Sequence, residues 1–195
     1  MKKTLVIYTH PNPASFNAAI KNTAVEALKQ AGNEVRERDL YALKFDPVLD
    51  GEDFMSFKAG KIPADIAEEQ SHVAWADRLL FIYPLWWFDR PALLKGWIDR
   101  VFSYGFAFSY GAEGAKGLLK HEKAMVIQTT GGSQEVYEAH HAVNIITSPM
   151  KDGTLGFCGI GDVDFHTYYG VVSATQEKRT QMLEEIKTNI TQWAA

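Results

Sequence analysis

The chain has 195 residues, a net charge of −4 and a charged fraction of 23%, a mild acidic balance that argues against a general nucleic-acid binder and against attraction to anionic membrane surfaces. Its 46% hydrophobic content suits a single domain over residues 1–195 with a sizeable core, and no window approaches the roughly 20 apolar residues of a bilayer span. The lone cysteine, Cys158, excludes an internal disulfide; with no apolar leader after Met1-Lys2-Lys3, the expectation is a soluble cytoplasmic protein without membrane insertion.

Thr4–Tyr8 (TLVIY) is a compact apolar run of the kind a buried parallel strand uses. The loop Thr9–Ser15 follows. Its two prolines postpone the next helix, which starts at Phe16 and sets Ile20, Ala24, Ala27, Leu28 and Ala31 at three- and four-residue steps. Gly32-Asn33 ends it. Glu34–Asp39 reads as a polar strand near a sheet edge. Leu40–Ile66 is irregular, punctuated by Asp46-Pro47, Gly51 and Gly60, yet its Tyr41, Phe45, Phe54 and Phe57 favour packed chain over disorder. Asp65–Trp75 reads as a helix.

Arg78–Phe102 joins a buried strand, Leu79–Tyr83, to a helix that starts at Pro91 and carries Leu93, Leu94, Trp97, Ile98 and Val101 on one side. Between them Pro84 opens an aromatic turn, Leu85-Trp86-Trp87-Phe88. Asp89 and Arg90 read as solvated or structural. Ser103–Gly117 is an aromatic and glycine-rich loop. Lys123–Gln128 is the next buried strand and ends in Thr129-Thr130-Gly131-Gly132-Ser133. A helix is expected from about Glu135 to Ile145–Ile146, then a turn over Gly153–Cys158 and a last strand, Val163–Tyr169. Glu177–Trp193 closes the chain as an amphipathic helix. Alternating strands and helices predict an α/β fold: a five-stranded parallel sheet in the order 2-1-3-4-5 with helices on both faces.

In that order the loops after strands 1, 3 and 4 flank one crevice at the carboxyl ends of the strands, where ligands of open parallel sheets bind. Thr9–Asn17 leads into a helix amino terminus, an anion site by virtue of free N–H groups and the helix dipole. Ser15 and Asn17 suit capping or phosphate oxygens, and His10 adds a donor. The loop has no glycine, so neither the G-x-G-x-x-G fingerprint nor the P-loop is present. Leu85–Phe88 either packs in the core or covers the face of a planar heterocycle. Consecutive glycines at Gly131 and Gly132 let the backbone approach a ligand closely, or form a plain turn. Tyr137, His140 and His141 follow; adjacent histidines on a helix point apart, which disfavours a shared metal. No metal site is expected, and Cys158 beside Phe157 reads as a buried apolar residue.

Three segments together resemble the flavodoxin-like NAD(P)H:quinone oxidoreductases, the DT-diaphorase family: T-H-x-x-x-x-S-F-N at Thr9–Asn17, P-L-x-W-F-x-x-P-A-L-L-K-G-W at Pro84–Trp97, and T-T-G-G-S at Thr129–Ser133. The resemblance implies a flavodoxin-like, flavin-binding domain whose cofactor is FAD, with FMN also compatible, and NAD(P)H as electron donor. It implies that His10, Ser15, Phe16 and Asn17 hold the phosphate end, that Pro84, Leu85, Trp86, Trp87 and Phe88 with Thr129, Thr130, Gly131 and Gly132 wrap the ring, and that Gln70 lies near the cofactor. Trp87 and Phe88 also become part of the substrate floor. The family's tyrosine matches Tyr137, but its histidine six residues later is Val143 here, leaving His140 or His141 to substitute. No counterpart of the family's carboxy-terminal basic residue is apparent. The implied reaction is two-electron, ping-pong hydride transfer to quinones or similar flat acceptors. The implied assembly is a homodimer in which the partner's loop Ser103–Tyr110, with Phe106 and Phe108, caps the flavin. A flavodoxin-type electron carrier and an ancillary or regulatory flavin-binding subunit are the alternatives.

Overall fold

A computed structural model describes residues 1–195. Its main sheet has five parallel strands: β1 (Lys3–Tyr8), β2 (Glu34–Asp39), β3 (Arg78–Pro84), β6 (Lys123–Thr129) and β7 (Val163–Tyr168). They lie in the order β2-β1-β3-β6-β7, which is the expected 2-1-3-4-5 when only these strands are counted. Polar β2 is an edge, as its composition implies. The remaining strands, β4 (Phe108–Gly111) and β5 (Gly114–Gly117), pair as a separate antiparallel hairpin.

Side chains alternate faces along each strand, so the apolar strands feed two cores. Leu5, Ile7, Leu79, Phe81, Ala124 and Val126 face one way, toward Leu94, Trp97 and Val101 of α4 (Ala92–Val101). Val6, Leu80, Ile82, Met125 and Ile127 face the other, toward α1 (Phe16–Gln30) and α7 (Gln176–Ala194). No helix is long and apolar enough to cross a membrane.

Four segments differ from the expectation, each for a local reason. Within Leu40–Ile66 a helix, α2 (Gly51–Lys58), starts because the Asp50 carboxylate accepts the N–H groups of Glu52 and Asp53 at 2.8 and 3.0 Å. Ser103–Gly117 is not all loop: Phe108 and Tyr110 alternate in the strand sense, and Gly114, at φ 100°, turns the hairpin. The helix expected from Glu135 is two helices, α5 (Gln134–Ala139) and α6 (Val143–Met150), separated where His141 turns left-handed at φ 51°. The expected turn at Gly153–Cys158 is a π-helical turn, Lys151–Gly156, continuing α6 two residues after its internal Pro149. The Thr154 hydroxyl donates to the Pro149 carbonyl at 2.8 Å, filling an acceptor of the widened turn. α3 (Ala64–Trp75) appears essentially as expected.

The Leu40–Ile66 segment is packed, but of its expected aromatic anchors only Phe45 is buried, and Phe54 is 61% exposed. Asp53 pairs with Arg100 of α4 through bonds of 2.7 and 3.0 Å, and Arg100 also reaches the Asp46 carbonyl at 3.0 Å. These Arg100 bonds hold the Asp53 carboxyl below its ordinary value of 3.8. A depressed folded-state pKa adds stability that is complete above the ordinary value and lost as pH falls through the lowered one. Asp53→Asn should therefore lower stability at neutral pH and flatten its loss below about pH 4, read as urea midpoints across a pH series. An acid limb identical to that of the unsubstituted protein would show that the pair does not govern it.

Candidate functional site

The carboxyl ends of β1, β3 and β6 lie side by side, and their following loops enclose a cavity of about 530 Å³. The first wall is Thr9–Asn17. Ser15 caps α1, its hydroxyl accepting the Ala18 N–H at 3.1 Å, and the same hydroxyl lies 3.4 Å from the Tyr8 hydroxyl. Burial raises the Tyr8 pKa despite that contact, so the phenol stays neutral. Capping and cavity lining are thus compatible roles for Ser15. Phe16 and Asn17 complete this wall at the helix amino terminus, where N–H groups have no intrahelical acceptor. His10 sits beside Trp86, ring centroids 6.0 Å apart, and its Nδ1 accepts the Asn12 N–H at 3.0 Å.

The second wall is the aromatic turn. Trp86 N–H donates to the Asp89 carbonyl at 2.9 Å and Asp89 N–H to the Trp86 carbonyl at 3.1 Å. This closes a two-residue turn in which Trp87 and Phe88 have φ of 52° and 63°. Left-handed backbone at two consecutive bulky residues is strained, each costing of order 1–2 kcal/mol. The turn leaves Trp87 98% exposed and Phe88 48% exposed, while Pro84, Leu85 and Trp86 line the cavity.

The third wall, Thr129–Gly131, is tied to the other two. The Leu85 N–H donates to the Thr129 carbonyl at 2.7 Å, and the Asn17 amide donates to the Thr129 hydroxyl at 2.9 Å. Thr130 hydroxyl bonds the Gly132 carbonyl at 2.7 Å. A Cβ on Gly132 would lie 3.2 Å from the Tyr137 ring. Tyr137 itself sits between Phe88 and Tyr169, at centroid distances of 5.4 and 5.6 Å. The aromatic turn and the start of α5 therefore meet at the cavity's rim.

The fourth wall was not foreseen. Val171 and Val172 close the cavity from the loop after β7, and Arg179 of α7 joins them. Its guanidinium donates to the Val171 carbonyl at 3.2 and 3.0 Å and to the Val172 carbonyl at 3.2 Å. A cation within the first turns of a helix opposes the dipole, so its position needs another reason. That was the signal available in the sequence. The cavity lining holds Arg179 and no carboxylate, which favours an anionic ligand.

Several expected residues lie elsewhere in the chain. Gln70 is buried on α3, its amide donating to the Val101 carbonyl at 2.9 Å and the Ser103 hydroxyl at 3.0 Å; it anchors the end of α4. Phe106 and Phe108 pack on the chain's own core, Phe108 against Phe157 at 5.4 Å. His140 and His141 stand exposed at the break after α5 and line no part of the cavity. Cys158 is buried, and burial pushes its thiol up to about 11, away from nucleophilic use. No group of three or more His, Cys, Asp or Glu is placed to hold a metal ion.

The residues present fit a flavin. The Asn17 Oδ1 is buried without a hydrogen-bond partner, an acceptor that a ribityl hydroxyl can satisfy. Arg179 and the α1 amino terminus suit a phosphate, and the slot between Trp86 and Thr129–Gly131 suits a planar ring.

A family profile described as flavodoxin-like fold matches residues 2–190. The chain is 40% identical to NAD(P)H dehydrogenase (quinone) 1 of Cavia porcellus, over 94% of this chain and 74% of the relative. It is 35% identical to ribosyldihydronicotinamide dehydrogenase (quinone) of Homo sapiens, over 93% of this chain and 87% of the relative. The solved structure of an NAD(P)H:quinone oxidoreductase from Methanothermobacter marburgensis superimposes with a TM-score of 0.90 at 31% identity, covering 100% of this chain and 98% of that one.

Proposed function

The chain belongs to the flavodoxin-like family that includes the NAD(P)H dehydrogenases of quinones, and from that premise we propose a flavin-dependent oxidoreductase that carries two electrons from NAD(P)H to quinones or similarly flat acceptors. A flavin held there would supply the redox chemistry, two-electron transfer between a nicotinamide donor and a flat acceptor that use the same slot in turn. The protein's part is to bind, orient and exclude water. Arg179, Asn17 and the α1 amino terminus hold the ribityl-phosphate end; Trp86 and Thr129–Gly132 hold the ring.

The observation that carries this reading is the strained turn. Backbone strain persists where the surrounding structure enforces it, and it is concentrated at functional sites. Here it presents Trp87 and Phe88 as bare aromatic surface next to the cavity. They provide a floor for a flat molecule, whereas an electron carrier needs only an open cofactor edge. Tyr137, against Phe88, is positioned to hydrogen-bond a ligand at this rim. His140 and His141 stand exposed just beyond it, and either can take the part of the family's histidine in this reading.

The Leu40–Ile66 segment packs against α4 and lines no wall of the cavity, so these walls do not distinguish FAD from FMN. The cofactor in this proposal is the part FAD and FMN share. A homodimer remains part of it: exposed Tyr104 and Tyr110, stacked at 6.3 Å, add to Trp87 and Phe88 an aromatic surface that a second copy can cover.

The test is spectroscopic. Purified protein should carry visible flavin absorbance that bleaches on anaerobic addition of NADH or NADPH and returns on addition of a quinone. A flavin that stays oxidised with both nucleotides would sink the enzyme reading. Trp87→Ala should lower quinone kcat/KM about tenfold, one aromatic contact of ~1.5 kcal/mol, with the fold of the chain retained, because the side chain is 98% exposed on its own chain and supports no core. Unchanged turnover would remove Trp87 from the substrate floor.

A further inference from the structure

Tyr8 ends β1 and is only 3% exposed. Its hydroxyl has one hydrogen-bonding neighbour, the Ser15 hydroxyl at 3.4 Å. Ser15 lines the cavity at the sheet ends, and Tyr8 does not. The phenol therefore stands behind the serine, out of reach of a ligand, and any part it has in binding passes through Ser15.

A serine hydroxyl has one proton and two lone pairs. The Ala18 N–H occupies one lone pair of Ser15 at 3.1 Å, the bond that caps α1. If Ser15 gave its proton to Tyr8, the phenol proton would be left in the interior with no acceptor, which is costly. If Tyr8 gives its proton to Ser15, both lone pairs are filled, and the Ser15 proton has one direction left, into the cavity. The phenol always has a proton to give at neutral pH, since burial, helped by Asp39, raises its pKa above 10.0. Asn17 on the same wall is fixed in the opposite sense. Its amide nitrogen is committed to the Thr129 hydroxyl at 2.9 Å, so it shows the cavity an acceptor, the unpartnered Oδ1. Ser15 then offers only a donor, on a lining that holds Arg179 and no carboxylate.

We propose that Tyr8 is a positioning residue for the phosphate end of the cofactor: by filling the second lone pair of Ser15 it locks that serine as a donor to a phosphate oxygen. The proposal rests on the flavin reading above and concerns the phosphate that FMN and FAD share. At 3.4 Å the contact is longer than the roughly 2.8 Å of a good O–H···O bond. A phosphate drawing on the Ser15 proton polarises the serine oxygen and tightens the bond from Tyr8, because hydrogen bonds in a chain strengthen one another. A flavin without a phosphate gains nothing from this arrangement.

The experiment titrates the full-length apoprotein with FMN and with riboflavin, which lacks the phosphate, and follows binding by flavin fluorescence. The unsubstituted protein should bind FMN at least about tenfold more tightly than riboflavin, the worth of one charge-assisted contact. Tyr8→Phe should weaken FMN binding about two- to tenfold, the range of one hydrogen bond, and leave riboflavin binding as it was. Ser15→Gly removes the hydroxyl while glycine still serves as a helix amino cap. It should weaken FMN binding at least as much, and adding Tyr8→Phe to it should cost nothing further, because the phenol then has no serine to act through. A tyrosine that merely supports the fold would weaken both flavins alike and add its loss to that of Ser15→Gly; either result would overturn the proposal. FMN binding unmoved by Tyr8→Phe, or a parent that does not distinguish FMN from riboflavin, would also overturn it while leaving the flavin reading in place. A parent that binds neither flavin would sink that reading and the proposal together.

Discussion

Glu69→Met should lower the unfolding free energy by about 3–5 kcal/mol, the range for breaking a buried ion pair by removal of one partner. Glu69 is on the inner side of α3 with its side chain 3% exposed. One carboxylate oxygen accepts both Nε of Arg38, at 2.9 Å, and Nη2 of the same guanidinium. The other accepts the indole N–H of Trp97 at 2.9 Å. Burial alone would lower the Arg38 pKa, but the bonds from Glu69 and then Glu68 raise it overall. Methionine removes the charge and both acceptors together. Trp97, fully buried in the core under Phe81 and Phe102, then has an N–H with no partner. Arg38 keeps only Glu68, at 2.9 Å and 61% exposed. Glu69→Gln should cost less, since the amide oxygen still accepts the indole N–H. Urea unfolding with an unchanged m value measures both. A loss below about 1 kcal/mol for Glu69→Met, the net worth of an ordinary hydrogen bond, would mean that the network is not coupled.

Glu69 also marks what the sequence could not reveal. Its helix was legible, because Ile66, Gln70 and Val73 fall on one buried side. Its partners were not, since Arg38 and Trp97 lie 31 and 28 residues away and only tertiary packing brings them together. The five-strand order and both cores were readable because TLVIY, LLFIY and KAMVIQ are apolar runs bounded by loops. Three of the cavity walls were readable because each follows one of those runs. The fourth, Val171–Val172 with Arg179, follows a strand whose exposed edge mixes Asp164, His166 and Thr167 into the pattern. A resemblance fixes the residue type of Gln70 without fixing its direction: here the amide turns inward, to the end of α4. Phe106 and Phe108 looked like an unpartnered aromatic patch, yet the hairpin folds them onto the chain's own core. Close approach of backbone made that possible: a Cβ on Gly117 would lie 2.3 Å from the Cys158 carbonyl carbon.

The largest functional effect is expected from Gly131→Val. Gly131 has no positive φ, and a Cβ there would meet only the Val172 side chain, at 3.6 Å. That is ordinary van der Waals contact, so the fold accepts the first carbon. The two further methyl groups crowd the cavity at this loop, which with Trp86 holds the flavin ring in the proposed reading. Overpacking of this kind costs about 1–3 kcal/mol, or about ten- to hundredfold in affinity. Titrating the apoprotein with FMN and with FAD, followed by flavin fluorescence, measures it, while urea unfolding of the apoprotein should stay close to that of the parent. Gly132→Ala separates the slot from the rim. Its Cβ would press the Tyr137 ring from 3.2 Å and faces Tyr137 rather than Val172, so flavin affinity should change far less than in Gly131→Val. If both substitutions leave flavin affinity intact, the ring does not lie against this loop, and the third wall loses its assigned part.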